Sequence, residues 1–231
     1  MAVVRIPAIL FAALLAALPP SGAAAPFTVR LGLEKIALDA LPGFTDTTEL
    51  ASPRLQDLAA ALTPASNRVL LFALTDADLR RFSNGDPLDM KRRYMMAVTP
   101  KGIERERVGG ELFNALVSDS LRDLGKPVQV ADLAKFLENQ PIGLAKLIAE
   151  LKKEPTAVSV LQATRLAPLP GEKMFDKVTP QYLLFTTTFV LVRGKALLLS
   201  VYTLFHEPAD MDWLKLATQR WVDDVRRLNA R

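Results

Sequence analysis

The chain has 231 residues, of which 50% are hydrophobic and 23% charged, and this composition is typical of an ordinary globular protein. It contains no cysteine, which excludes disulfides, cysteine-ligated zinc or iron–sulfur sites and thiol catalysis. The net charge of +4 is only mildly basic and no nucleic-acid-binding motif is found, so nucleic acid is not an expected partner.

Residues 1–25 have the pattern of a secretory signal peptide. Arg5 is their only charged residue, residues 6–18 form a short apolar run, and residues 23–25 are alanines suited to cleavage. The apolar run is shorter than the ~20 residues that a membrane-spanning helix requires, although an uncleaved anchor is the alternative interpretation. We therefore predict an exported protein of the bacterial periplasm with a cleaved signal peptide, and a mature chain of residues 26–231.

The first part of the mature chain is predicted to contain four strands and one helix. Alternating apolar residues predict strands at 34–41 and 44–50, and Ser52 before Pro53 predicts the start of a helix that ends before Pro64. Two further strands are predicted at 68–75 and 91–99. Residues 76–89 between them are polar and contain a strong turn signal at 83–87, so they are interpreted as a connection.

The period of the apolar residues changes after residue 108. Spacing of 3.6 predicts a helix at 112–124 that ends at Gly125, followed by helical segments at 130–138 and 142–152. Pro141 separates the last two segments and Pro155 ends the second. These segments together form a predicted helical insertion near 108–153, and a strand at 156–167 follows it.

Residues 181–205 carry the strongest structural signal in the sequence. Two runs rich in Val, Thr, Tyr and Phe are joined through Arg193, Gly194 and Lys195, which predicts a long β-hairpin. A membrane span is excluded because both basic side chains would lie near the bilayer centre. Both sides of each run are apolar, so we expect these strands at the centre of a sheet with layers above and below.

The last predicted element is a helix at 211–228, capped by Asp210. Leu214, Trp221 and Val225 lie on one face of this helix, which should pack on the sheet. No linker divides the mature chain, and one domain is expected. The predicted fold class is therefore α+β, an antiparallel β-sheet flanked by helices in an α/β/α sandwich.

Two ends of the sequence resemble the PsbP-like domains. Residues 36–44, with the sequence Ile-Ala-Leu-Asp-Ala-Leu-Pro-Gly-Phe, are similar to the opening strand and turn of that family. The closing hairpin around residues 191–202 and the helix from Trp213 through Trp221 to Asn229 are similar to its end. The resemblance implies an antiparallel sheet between helical layers and an exported accessory or assembly protein. The family has no common active site, so no binding residue is carried over.

His206 is the weak candidate for a catalytic residue. It is the only histidine in the chain and lies among Glu207, Asp210 and Asp212, as a general base backed by carboxylates would. Zinc usually requires several His or Cys ligands, which this chain lacks, and Pro208 interrupts the helix that a zinc-protease motif needs. A loop histidine beside a helix cap is the favoured interpretation.

Basic residues concentrate in the window 80–107. This window is a candidate contact for an anionic lipid surface or an acidic partner. Interspersed acids cancel much of its charge, and an edge strand protected by charge is the favoured interpretation. The candidate contact residues are Arg80, Arg81, Arg92, Arg93, Arg105 and Arg107.

The function that these observations favour is that of a non-catalytic, exported accessory or binding protein. Its partner would be an envelope protein or a small ligand that the sequence does not identify, and neither a metal nor another cofactor is expected. Two alternatives remain open: a hydrolase that uses His206, and a peripheral protein that makes weak contact with anionic membranes through the 80–107 window.

Overall fold

The computed structural model describes residues 26–48, 50–86, 92–129, 132–167 and 180–230. The predicted signal peptide at 1–25 lies outside these residues. The helices are α1 (Pro53–Ala61), α2 (Asp76–Asn84), α3 (Gly110–Leu121), α4 (Leu133–Glu138) and α5 (Pro208–Leu228). The strands are β1 (Phe27–Leu31), β2 (Glu34–Leu38), β3 (Phe44–Asp46), β4 (Asn67–Thr75), β5 (Tyr94–Pro100), β6 (Lys146–Glu154), β7 (Ala157–Arg165), β8 (Tyr182–Val192) and β9 (Lys195–Leu204).

Seven of the strands form one antiparallel sheet in the order β3-β4-β5-β9-β8-β7-β6, and β1 and β2 form a separate hairpin. The predicted α+β fold with an antiparallel sheet and flanking helices is confirmed. The long hairpin pairs β8 with β9 from Leu183 opposite Leu204 to Val192 opposite Lys195. Its turn residues Arg193 and Gly194 have φ values of 53° and 72°, as a two-residue turn that matches the strand twist requires.

Helices cover both faces of the sheet. On one face, which we call the α5 face, Leu214, Trp221 and Val225 of α5 are buried against β8 and β9. The indole Nε1 of Trp221 also donates a hydrogen bond to the carbonyl oxygen of Asp39 at 2.8 Å. On the other face, the α1 face, Leu55 of α1 packs on β4 and β5, and Phe113 of α3 packs near the β8–β9 turn. Apolar residues on both sides of the hairpin explain why it lies inside the sheet.

The helix predicted at 142–152 is wrong, because this segment forms the edge strand β6. The register between β6 and β7 shifts at Leu147/Ala149 and again at Glu150/Lys152. Each bulge adds a residue to the strand and interrupts its two-residue alternation. The apolar residues consequently fall at spacings that imitate a helix. Among the described residues, the helical part of the 108–153 insertion consists of α3, a 3₁₀ turn at Arg122–Leu124 and α4.

Two smaller predictions also need correction. The connection predicted at 76–89 contains the helix α2, in which Thr75 accepts a hydrogen bond from the Asp78 backbone amide and Gly85 ends the helix in a left-handed conformation. Residues 87–91 lie outside the described residues. The cap of α5 is Glu207 and not Asp210, which instead occupies the third helical position and completes a capping box.

Candidate functional site

The structure places His206 at the surface, in the turn between β9 and α5. Its backbone amide donates a hydrogen bond to Asp210 Oδ2 at 3.1 Å. Within the described ranges, no group of three or more His, Cys, Asp or Glu residues could hold a metal ion, and no helix is long and apolar enough to cross a membrane. Catalysis by His206 stays a prediction.

The six candidate arginines lie at two ends of β5. Arg80 and Arg81 belong to α2, which follows β4 directly, and Leu74 near the end of β4 pairs with Tyr94 at the start of β5. Arg92 and Arg93 immediately precede β5 and therefore lie at this same end. Arg105 and Arg107 follow the other end of the strand, which is about 20 Å away at the usual rise of a β-strand. The structure thus divides the window into two groups.

A cavity of about 440 Å³ opens at the end of the sheet that carries Arg92 and Arg93. It lies between α1, α2, β4 and the start of β5, on the α1 face. We call it the arginine pocket, and its lining residues are Leu58, Leu62, Phe72, Leu74, Asp78, Arg92, Arg93 and Tyr94. Five of these are apolar or aromatic, and Leu62 at the rim is 41% exposed.

Arg93 is held firmly by its neighbours in α5. Its Nη2 lies 3.2 Å from Oδ1 of the fully buried Asp210, and its guanidinium carbon lies 3.9 Å from the centroid of the Trp213 ring. The Trp213 ring in turn stacks with Phe44, and the two ring centroids are 6.3 Å apart. This arginine therefore has a structural role in joining β5 to the start of α5.

Arg92 differs from Arg93 in both its backbone and its contacts. Its φ of 42° lies in the left-handed region, which is uncommon for a residue other than glycine. Among the described residues, none forms a hydrogen bond or ion pair with the Arg92 side chain. Strained backbone conformations cluster at functional sites, and here one accompanies a cation that has no partner among the described residues at the mouth of the pocket.

Asp78 supplies the buried carboxylate of the arginine pocket. It is only 2% exposed, and its Oδ2 accepts a hydrogen bond from the Thr75 hydroxyl at 2.9 Å. Because Asp78 lies in the first turn of α2, the helix dipole also favours its negative charge. The carboxylate is thus stabilised by its own helix, and the positive charge of Arg92 is not needed for that purpose.

A row of aromatic rings continues from the pocket along the α1 face. The ring centroids of Tyr94 and Tyr202 are 4.3 Å apart and nearly parallel, and those of Tyr202 and Phe185 are 5.5 Å apart. Phe72 packs on Tyr94 in an edge-to-face arrangement, with the two ring centroids 6.2 Å apart. Burial, and secondly the neighbouring Tyr202, raise the pKa of Tyr94 above its usual range. The Tyr94 phenol that lines the pocket is therefore uncharged at neutral pH.

The arginines of this site could be identified from the sequence, but the cavity could not. Arg92 and Arg93 were candidates because of their charge, whereas Leu58 and Leu62 lie within the predicted helix that begins after Ser52 and carry no sign of a binding site. The Thr75 to Asp78 spacing is that of a capping box, and it was the one signal that could have placed Asp78 at a helix start.

By its architecture the chain belongs to the α+β class, as a helix-covered antiparallel sheet with a pocket at one end. No family model matches the chain, and no curated protein matches it. Among solved structures, it is similar to the Ran-binding protein Mog1p of Saccharomyces cerevisiae, with 12% identity and a TM-score of 0.35. A mutant of protein Mog1 gives 11% identity and a TM-score of 0.36. Each alignment covers 88% of this chain and 94% of the other. The resemblance to PsbP-like domains stays a prediction.

Proposed function

We propose that this protein is a non-catalytic, exported accessory protein of the bacterial periplasm that binds a small amphiphilic ligand in the arginine pocket. The observation that carries the proposal is the combination of a mostly apolar cavity of about 440 Å³ with the left-handed Arg92 at its mouth, whose side chain has no partner in the described part of the chain. Small-molecule sites are typically concave, mostly apolar and about 300–1,000 Å³ in volume, with few polar groups that orient the ligand.

The charges around the pocket indicate a ligand with one anionic group. Arg93 is paired with Asp210, and Asp78 is stabilised by Thr75 and by the start of α2. Arg92 is left to bind the ligand, and its guanidinium is suited to a carboxylate or sulfonate. The anionic group would lie at the rim beside Arg92, away from the buried carboxylate of Asp78.

The apolar body of the ligand would lie deeper in the pocket. Leu58 and Leu62 form one wall from α1, and Phe72 and Tyr94 form the opposite wall from the sheet. Removing these surfaces from water contributes about 25 cal/mol per Å² of apolar area buried, before the cost of ordering the ligand is subtracted. An aromatic ligand would also extend the row of stacked rings that begins at Tyr94.

The dye 8-anilinonaphthalene-1-sulfonate tests this proposal because it combines an aromatic body with one anionic group. We expect the folded protein to enhance and blue-shift its fluorescence, and Arg92→Gly to weaken binding about 10- to 100-fold, the usual worth of a hydrogen bond to a charged group. Glycine is chosen because it tolerates the left-handed backbone. The matched control is Arg193→Gly, which removes an arginine at φ 53° from the distant β8–β9 turn and should leave binding unchanged.

Two results would contradict the proposal. One is equal affinity of the Arg92→Gly and Arg193→Gly variants for the dye. The other is equally tight binding of N-phenyl-1-naphthylamine, which has the same rings without the sulfonate. Either result would mean that Arg92 does not recognise the anionic group. A third variant, Leu58→Glu, places a charge in the apolar wall and should abolish binding of both dyes.

A further inference from the structure

A second cavity, of about 410 Å³, lies on the opposite face of the sheet, beneath α5. It arises because α5 packs on β8 and β9, so that β6 and the neighbouring part of β7 extend beyond the helix. We call it the lysine pocket, and its lining residues are Leu151, Lys152, Ser159, Lys215, Thr218, Gln219 and Val222.

The lining of the lysine pocket contains two cations and no carboxylate. Lys152 comes from β6 and Lys215 from α5, so the two lysines approach the cavity from opposite walls. Their carboxylate partners lie outside the lining: Lys152 Nζ is 3.7 Å from Asp223, and Lys215 Nζ is 3.9 Å from Asp212. Both of these carboxylates are more than half exposed, and ion pairs of this kind are weak. Lys152 also lies 3.2 Å from Glu154.

Buried hydroxyl groups form the floor of the cavity. Thr218 Oγ1 donates to the carbonyl oxygen of Leu214 at 2.8 Å, so the hydroxyl of Thr186 must be the donor in the contact between the two threonines. Both protons of this pair are therefore used. The neighbouring pair, Ser159 and Thr188, is joined by a single hydrogen bond of 2.8 Å in which either oxygen can be the donor.

The second hydroxyl pair leaves one proton available. Ser159 and Thr188 have two hydroxyl protons and share one of them, and no described residue accepts the other. Of the two, only Ser159 lines the cavity, and its side chain is almost fully buried. A buried donor without an acceptor is costly, and a ligand oxygen on the cavity floor would satisfy it if Thr188 donates to Ser159.

From this arrangement we infer that the lysine pocket is a binding site for a small organic carboxylate. One carboxylate oxygen accepts the Ser159 proton, the other accepts from the ammonium groups of Lys152 and Lys215, and the apolar body packs against Leu151 and Val222. Ser159 and Lys152 are directly opposite in the β6–β7 register, so a serine donor and a lysine donor lie side by side on the sheet. This site is separate from the arginine pocket and does not depend on its function.

Benzoate is the probe for this inference, with benzamide as its uncharged counterpart and inorganic phosphate as an anion without an apolar body. Titration of the full-length mature protein, followed by amide chemical shifts in NMR spectra, should show benzoate binding at Ser159 and Thr218. We expect affinity for benzoate at least tenfold higher than for benzamide. Phosphate that binds as tightly as benzoate would overturn the part played by Leu151 and Val222.

Four variants locate the interaction. Lys152→Met should weaken benzoate binding about tenfold, whereas Lys153→Met, its exposed neighbour whose side chain lies on the other face, should leave affinity unchanged. Ser159→Ala should weaken binding about fivefold or more. Thr188→Val keeps the Ser159 proton and should retain binding even if it lowers the melting temperature. Equal loss in both lysine variants, or unchanged binding by Ser159→Ala, would refute the site.

Discussion

Replacement of Arg93 by methionine should destabilise the protein more than removal of any exposed arginine. The Arg93 side chain is 24% exposed, whereas the side chain of Asp210, with which it pairs, is fully buried. Breaking a buried ion pair by removing one partner costs about 3–5 kcal/mol. Asp210 keeps hydrogen bonds from the backbone amides of His206 and Glu207 at 3.1 and 3.2 Å, so we expect about 2–3 kcal/mol for this part.

The contact of Arg93 with the face of Trp213 adds a smaller amount. A cation over an aromatic ring contributes about 0.5–1 kcal/mol when it is partly exposed. The total expected loss for Arg93→Met is therefore about 3 kcal/mol. Arg93→Lys keeps the charge but loses the planar contact, and about 1 kcal/mol is expected. Methionine is used because it preserves most of the apolar stem.

Urea denaturation followed by circular dichroism measures this effect, because a change in midpoint at constant slope reports stability. The matched control is Arg220→Met on the exposed side of α5, which should change stability by less than about 0.5 kcal/mol. Combining Arg93→Met with Asp210→Asn should give a coupling energy of about 1–3 kcal/mol. A loss below about 1 kcal/mol for Arg93→Met, or no coupling with Asp210, would refute the assigned role.

Three further predictions concern pH, export and membranes. Burial raises the pKa of Tyr94, so the folded chain keeps a proton that the unfolded chain loses near pH 10. The free energy of unfolding should therefore fall as the pH rises above about 10. Tyr94→Phe should lessen that fall, measured as the midpoint of urea denaturation at each pH. The intact mass of the exported protein should equal that of a chain without the apolar run at 6–18. A mass that includes this run contradicts cleavage. The alternative of membrane contact through the 80–107 window predicts that anionic vesicles bind the protein at low salt and release it at high salt, and no binding at low salt rejects that alternative.

The central hairpin could be predicted because its two runs are rich in Val, Thr, Tyr and Phe, are apolar on both sides, and are joined by a turn with a suitable Gly194. The edge strand β6 could not, since two bulges shift its register and bring apolar residues to helical spacing. The helix α2 was missed for another reason: its sequence is mostly polar, and it is fixed by its Thr75 cap and its packing on β4. Local patterns therefore sufficed for the regular strands and for the amphipathic helices α1, α3, α4 and α5.

The candidate sites were harder to predict because they depend on distant pairs. Arg93 and Asp210 are separated by 117 residues, and only the folded chain shows that Arg93 is paired whereas Arg92 has no partner among the described residues. The same holds for Ser159 and Thr188, which are brought together by the register of β7 and β8. Only this pairing shows that one of their two hydroxyl protons is not used between them. Charge and composition identified Arg92 as a candidate, but they could not distinguish its role from that of its neighbour.

Both cavities have a common structural cause. A seven-stranded sheet is wide, and each helix covers only part of a face: α1 and α2 pack near β4 and β5, whereas α5 packs on β8 and β9. The arginine pocket lies at the end of the α1 face, and the lysine pocket lies where β6 extends beyond α5. Residues at such margins contribute little to the core, so core packing constrains their side chains only weakly and they can serve in binding. Arg92 and Lys152 occupy these margins, and substitutions there should therefore change ligand affinity far more than stability.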